Sequence, residues 1–331
     1  MTLAASAAAP VRLDFAGGWT DVPPFSAREG GSVVAAAIGL YARATVVPDA
    51  AGIRLIARDL ALTAEGADHT EFERAGPLAL LAAGVRLLPV ESCTVQTDSD
   101  APSGSGLGSS GALDVALVAA LSMARSEPRG AREIADLACR LESKEAGIAG
   151  GRQDQFAAAF GGFRHLRFRD PQADVASLEL DPGFMAELER RMILCYTGAS
   201  RFSGDTITRV MRAYEQGDRA VTGALHAIRD VAERMAEALV AGDLVRVGAL
   251  LSENWRRQQE LDPAMCTPAM TRLESAMRSS GALGGKASGS GAGGCMFFLG
   301  PDDPRPAVAA ACTLGMRILP VRWVAQGVGP C

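Results

Sequence analysis

Asp100-Ala-Pro-Ser-Gly-Ser-Gly-Leu-Gly-Ser-Ser110-Gly111 runs straight into the apolar stretch Ala112–Ala124, and this junction decides the fold. Four glycines and four serines take eight of the ten positions Pro102–Gly111, so a flexible loop opens a helix that is apolar on every side. Such a junction gathers unpaired backbone N–H groups and the positive end of the helix dipole at one spot, which suits an anion. The serine hydroxyls can cap the helix or reach a metal. Composition alone more often marks a mere linker. The loop is not a Walker motif, because the GxxxxGK[ST] spacing fails and no lysine follows. It is not a dinucleotide fingerprint either, since no acidic residue closes a βαβ unit about twenty residues on.

The 331 residues suit one large or two ordinary domains. With 48% hydrophobic and 21% charged residues the chain has a globular composition, and disorder is not indicated. A net charge of −5 gives no general attraction for nucleic acid or an anionic membrane, so an anionic ligand needs a local site. Asp114 interrupts the longest apolar stretch, and Met1–Ala9 has no basic leader, so neither a membrane span nor a signal peptide is expected. Seven cysteines without a CxxC pair read as reduced thiols of a cytoplasmic protein. His69, His165 and His226 lack ligand spacing.

Hydrophobic periodicity places strands at Leu3–Phe15, Val33–Val47, Ile53–Ala57 and Cys93–Thr97, with helices at Pro77–Leu88 and Ala131–Glu145. A loop, Gly147-Ile-Ala-Gly-Gly-Arg-Gln-Asp-Gln155, leads into the apolar run Phe156–Phe160. A second half starts near Pro182. It brings a strand at Met192–Tyr196 and helices near Ser203–Glu215, Arg219–Ala241, Leu244–Glu260 and Pro268–Ser279. Segments Ala282–Ala287 and Cys295–Leu299, a helix near Pro306–Leu314 and a strand near Arg317–Val324 complete it. Strands and helices without regular βα alternation predict an α+β protein in two lobes, residues 1–181 and 182–331. The second glycine tract, Lys286-Ala-Ser-Gly-Ser-Gly-Ala-Gly-Gly294, has no helix after it and on its own reads as a wide hairpin turn.

Three segments together resemble the GHMP kinases of sugars and isoprenoids. Ala9-Pro-Val-Arg12-Leu-Asp-Phe-Ala-Gly-Gly-Trp-Thr-Asp21 is similar to their first motif, Pro102–Ser110 to their phosphate loop and Lys286–Gly294 to their third motif. Order and spacing agree, and the match spans residues 9 to 299. GGWTDVPP, Gly151-Arg-Gln-Asp-Gln155 and Tyr196-Thr-Gly-Ala-Ser-Arg201 are similar to the branch of anomeric sugar kinases that includes D-glycero-D-manno-heptose 7-phosphate kinase and the kinase domain of L-fucokinase. The resemblance implies a two-lobed fold with nucleotide and acceptor in the cleft between lobes, and ATP and Mg²⁺ as cofactors.

It also implies roles residue by residue. Pro102, Gly104, Ser105, Gly106, Leu107, Gly108, Ser109 and Ser110, with Gly289, Gly291 and Gly293, would bind the nucleotide. Asp154 would be the base for the acceptor hydroxyl; locally it reads equally well as a helix cap. Arg12, a cation on an apolar strand, needs a partner, and the resemblance puts it beside that base. Ser110 and Glu142 would hold Mg²⁺. Helical phase favours Glu145 instead, which falls nearer the centre of the Ile134/Leu141 stripe. Asp21 would accept hydrogen bonds from sugar hydroxyls, helped by Gly18 and Arg201. Trp19 would face the sugar or serve as core. A distal phosphate on the acceptor would require cations, for which Arg28, Lys144, Arg152 and Arg201 are the candidates.

The implied activity is ATP-dependent phosphorylation of the anomeric hydroxyl of a sugar or sugar phosphate, with heptose 7-phosphate leading. GGWTD and the double proline lean toward fucose instead. A sugar sensor without turnover is a second class, disfavoured by Asp154, Arg12, Ser110 and Glu142 being present. An isoprenoid or homoserine kinase is a third, disfavoured by the polar GGWTD segment.

Overall fold

A computed structural model describes residues 3–49, 52–73, 76, 78–198 and 204–331. The chain begins with a long hairpin, β1 (Ala5–Ala16) and β2 (Gly31–Pro48), interrupted by the short helix α1 (Phe25–Glu29). Every residue of the stretch Gly31–Ile38 is buried, and its alanines leave room for close helix packing. Strands β3 (Ile53–Ala57) and β4 (Leu62–Gly66), helix α2 (Ala79–Leu87) and strand β5 (Cys93–Ser99) follow. Helix α3 (Ser109–Ala124) then lies across β1 and β2. It begins at Ser109, inside the glycine-serine tract, so that tract supplies the first helical turn itself.

Next come α4 (Ala131–Arg140), a π-helical turn (Leu141–Glu145), and α5 (Gln153–Phe160), which packs on α3, α4 and β1. The hairpin β6 (Phe163–Arg169) and β7 (Gln172–Ser177) pairs with the first half of β2, while β5 pairs with its second half. Strand β2 therefore forms the spine of an eight-stranded sheet. Neither this hairpin nor β4 was expected from periodicity.

The second half opens with α6 (Pro182–Arg191), capped by Asp181, whose carboxylate accepts from the Phe184 N–H at 2.9 Å. Strand β8 (Met192–Tyr196) and helices α7 (Gly204–Glu215), α8 (Arg219–Val240), α9 (Leu244–Gln259) and α10 (Pro268–Ser279) follow. Strands β9 (Gly284–Ala287) and β10 (Cys295–Leu299), helix α11 (Arg305–Thr313) and strand β11 (Arg317–Leu319) complete a four-stranded sheet in the order β11-β8-β10-β9. The glycine tract at 288–294 is thus a hairpin loop between β9 and β10.

Beyond β11 the chain returns to the first sheet, where Trp323 bridges Ile38 and β12 (Gly329–Pro330) pairs with β1. Helix α8 also packs on β1 and β2. One hydrophobic core accordingly runs from β1 and β2 into Leu188, Leu194, Val231, Leu251 and Phe297. A second, with Trp19, Phe25 and Trp255, fills the other end. This continuity holds the two lobes in register and fixes the cleft between them. No helix among the described residues is long and apolar enough to cross a membrane.

Candidate functional site

The phosphate loop owes its course to glycine. Gly104, Gly106 and Gly108 have φ of 66°, 75° and 76°, values that L side chains rarely adopt. Gly108 immediately precedes α3, so the loop ends at an N-terminus of a sixteen-residue helix whose first N–H groups face the cleft. Gly104, Gly106, Gly108, Ser109 and Ser110 line that cleft, whose volume is about 430 Å³. Three members of the expected set do not line it. The side chains of Ser105 and Leu107 are fully buried, Leu107 in the main core, and Pro102 lies off the wall. Alternation along the loop turns every second side chain inward and leaves backbone to face a ligand.

Of the third motif only Gly289 and Ser290 reach the cleft; Gly291 and Gly293 do not. The motif buttresses the loop. A Cβ at Gly106 would fall 2.3 Å from the Ser288 carbonyl oxygen, and one at Gly289 would fall 2.8 Å from that of Gly106. The Cys295 N–H donates to the Ser105 carbonyl at 2.7 Å, and Ser288 Oγ donates to that of Gly106 at 2.9 Å. Backbone against backbone at this separation excludes side chains.

Arg12, on β1, is 3% exposed and binds both the loop and α5. Its Nη1 donates to the Gly106 carbonyl at 2.6 Å and its Nη2 lies 2.7 Å from Asp154 Oδ1. Asp154 sits in the first turn of α5, in the cleft wall. Its approach to α3 depends on Gly111, where a Cβ would fall 2.5 Å from the Asp154 Cβ. Glycine inside a helix costs about 1 kcal/mol relative to alanine, and here that cost allows α5 to pack onto the helix that follows the loop.

Glu142 lies in the π-helical turn and faces the cleft. Ser110 Oγ donates to its Oε1 at 3.2 Å and Gln155 Nε2 to its Oε2 at 2.7 Å. Burial, then the charge of Asp154, pushes its carboxyl up to about 7. A hydroxyl and a carboxylate that has no cationic partner among the described residues form a donor set suited to Mg²⁺ shared with nucleotide phosphates. Glu145 instead pairs with Arg140 at 3.3 Å, away from the cleft. The π turn widens the helix locally and rotates Glu142 inward, which regular helical phase does not anticipate.

Asp21 lines the same cleft and is held there by α5. Fully buried, its Oδ2 accepts from the N–H groups of Arg152 and Gln153 at 2.8 and 2.9 Å, and its Oδ1 from Gln153 Nε2 at 3.2 Å. It therefore anchors the start of α5, and with it Asp154. Burial, reinforced by the Asp154 charge, pushes its carboxyl up to about 6 against those hydrogen bonds. Gly18 and Trp19 line the cleft, with Trp19 4% exposed and also part of the second core.

Among the described residues the expected phosphate cations do not converge. Arg152 pairs with Asp170 and Asp136, Arg28 with Glu215, and neither these nor Lys144 lines the cleft. Arg201 lies outside the described residues.

Sequence reading missed several residues around the cleft. Asp14 on β1 and Lys286 on β9 form a fully buried ion pair at 2.9 Å. Gln153 and Gln155 position Asp21 and Glu142. Asp114, one turn after Ser110, has its carboxyl pushed well above the usual range by burial and by the charges of Glu142 and Asp154. The rule that singled out Arg12, a charge on an apolar strand, applies equally to Asp14.

A helix-opening glycine loop facing a carboxylate–arginine pair, with a serine and a glutamate beside it, defines a small-molecule kinase cleft. Residues 73–162 match the GHMP kinases N terminal domain and residues 235–315 the GHMP kinases C terminal domain. D-glycero-alpha-D-manno-heptose 7-phosphate kinase of Campylobacter jejuni is 33% identical over 87% of each chain. Bifunctional fucokinase/GDP-fucose pyrophosphorylase of Arabidopsis thaliana is 28% identical over 88% of this chain, which spans 29% of that larger protein. The crystal structure of a D-glycero-D-manno-heptose 1-phosphate kinase from Bacteriodes thetaiotaomicron superposes with a TM-score of 0.81, 28% identity and 99% coverage of both chains. The chain belongs to the GHMP kinases, and it is an enzyme.

Proposed function

We propose that this kinase transfers the γ-phosphoryl group of ATP to the anomeric hydroxyl of a sugar phosphate of the heptose 7-phosphate type. The observation that carries the reading is the Arg12–Asp154 contact at 2.7 Å, packed against the start of α3 in the cleft wall. Backbone N–H groups of the glycine loop and of α3 hold the nucleotide phosphates. Asp154 accepts the proton of the acceptor hydroxyl as its oxygen forms the new bond to phosphorus. The bond from phosphorus to the β-phosphate oxygen breaks, and ADP leaves. Arg12 keeps Asp154 oriented. Ser110 and Glu142 would hold Mg²⁺ when nucleotide is bound, and the ion would supply neutralising charge on the phosphates.

The likeness to a heptose 7-phosphate kinase supports the phosphate-bearing acceptor. A second reading, a free sugar such as L-fucose, is favoured by one observation: Arg28 and Arg152 are engaged with carboxylates elsewhere. ADP release measured with a panel of free and 7-phosphorylated heptoses and fucose, with NMR of the product, separates the two. Binding of ATP and sugar with no ADP released under any condition would make the protein a sensor and overturn both.

A further inference from the structure

We infer that Asp14 is a carboxylate that grips the sugar, accepting hydrogen bonds from hydroxyls of the acceptor. The inference rests on the sugar-kinase reading above and assigns the residue that the first motif leaves open. Asp21 is buried in the cleft wall with three donors already on its carboxylate, which leaves about one of its roughly four acceptor positions for a sugar. Asp14 is less fully engaged. It is 1% exposed and lines the cleft beside Gly18, Trp19 and Gln153. Lys286 Nζ lies 2.9 Å from its Oδ1 and also donates to the Asp14 carbonyl oxygen at 2.7 Å, which fixes the lysine. Oδ1 is buried with no polar partner besides that ion pair, and no hydrogen bond reaches Oδ2 among the described residues.

Gly18 gives a second, independent sign. Its φ is not in the left-handed region, so the backbone does not require glycine there. A Cβ at this position would fall 2.4 Å from Asp14 Oδ2. The missing side chain thus leaves that oxygen uncovered. A buried ion pair is weak support for a fold, because desolvating both charges offsets their attraction. It is well suited to holding a carboxylate charged in a dry cleft with one oxygen free, and an ionised carboxylate is an acceptor matched to hydroxyl donors. Gln153 Oε1, buried and without a partner, adds a second acceptor at the same end.

Asp14→Asn tests this with little change of shape. Lys286 retains the amide oxygen, so the NH₂ takes the place of Oδ2 and an acceptor becomes a donor. With the sugar that wild type phosphorylates, KM should rise about 10- to 100-fold while the Kd for ATP, by calorimetry, stays within about twofold. Wild type should lose a similar factor on one deoxy analogue of that sugar, and Asp14→Asn should no longer distinguish the analogue from its parent. Gly18→Ala keeps both charged partners and sets a methyl against Asp14 Oδ2, which must shift to admit it, so the sugar KM should rise while the Kd for ATP stays within about twofold, and this variant decides if Asp14→Asn does not fold. Asp14→Asn/Lys286→Met removes the unpaired lysine and serves if neither single variant folds. Folded variants that keep wild-type KM and deoxy-sugar discrimination would overturn the Asp14 assignment while leaving the sugar-kinase reading standing. Failure of wild type to release ADP with any sugar would overturn that reading, and this assignment with it.

Discussion

One guanidinium joins the phosphate loop to the opposing carboxylate: Arg12 donates from Nη1 to the Gly106 carbonyl at 2.6 Å and holds Asp154 Oδ1 2.7 Å from Nη2. Nucleotide and acceptor ends of the cleft are therefore mechanically coupled through a single buried side chain. Gly108 adds to this coupling, since a Cβ there would lie 3.1 Å from Asp154 Cγ and 3.3 Å from Arg12 Cγ.

Asp154→Asn should bind ATP and sugar normally and lose about 10²- to 10⁴-fold in kcat, the usual contribution of a general base. The amide keeps the shape and can face Arg12 with its oxygen, but it cannot take the proton. Steady-state kinetics with binding measured separately checks this. A kcat within a few-fold of wild type would make Asp154 only part of the first turn of α5.

Gly108→Val should abolish ATP binding. Gly108 has φ +76°, where a β-branched residue is strained, and its Cβ would point at Asp154 and Arg12. Circular dichroism establishes folding and calorimetry measures affinity. Unchanged ATP affinity in the folded variant would remove the loop from the nucleotide site.

Glu142→Gln should raise the Mg²⁺ concentration needed for half-maximal activity by about tenfold or more, with sugar KM little changed, because the site loses its neutralising charge. Glu145→Gln should do nothing to metal dependence, since Glu145 pairs with Arg140 at 3.3 Å. A reversed outcome would return the role to the residue that regular helical phase selects.

What could be read from the chain follows how local the signal is. The glycine loop, the strands β1, β2 and β3 and the helices from α7 onward are written in adjacent residues, and the sequence reading located them. Arg12 and Asp154 are separated by 142 positions, yet a lone cation on an apolar strand announces that it needs a partner. Glu142 was obscured because a π turn breaks the helical period, and β7, with alternating exposed and half-buried residues, carries little apolar pattern. The Asp14–Lys286 pair joins two sheets across 272 positions. Asp21 looked like a free ligand because nothing in the sequence shows that the N-terminus of α5 turns toward it.

Asp21 should also make stability pH-dependent in a window that its burial sets. Its carboxyl titrates near 6 in the folded chain, against 3.8 for an ordinary aspartate. Between those values the folded protein holds a proton that the unfolded chain has released, so stability falls as pH rises from about 4 to about 6 and this contribution is flat above. The ceiling is about 3 kcal/mol at 1.36 kcal/mol per unit. Asp21→Asn keeps an acceptor for the Arg152 and Gln153 N–H groups, and Gln153 can rotate its amide to meet the new NH₂. The variant should therefore fold and lose the Asp21 part of the slope. Glu142 titrates in both proteins and largely cancels in the difference. Urea midpoints from pH 4 to 7 should show wild type losing stability relative to Asp21→Asn across that window. Parallel curves would mean that Asp21 is ionised throughout, and its three donors would then outweigh its burial.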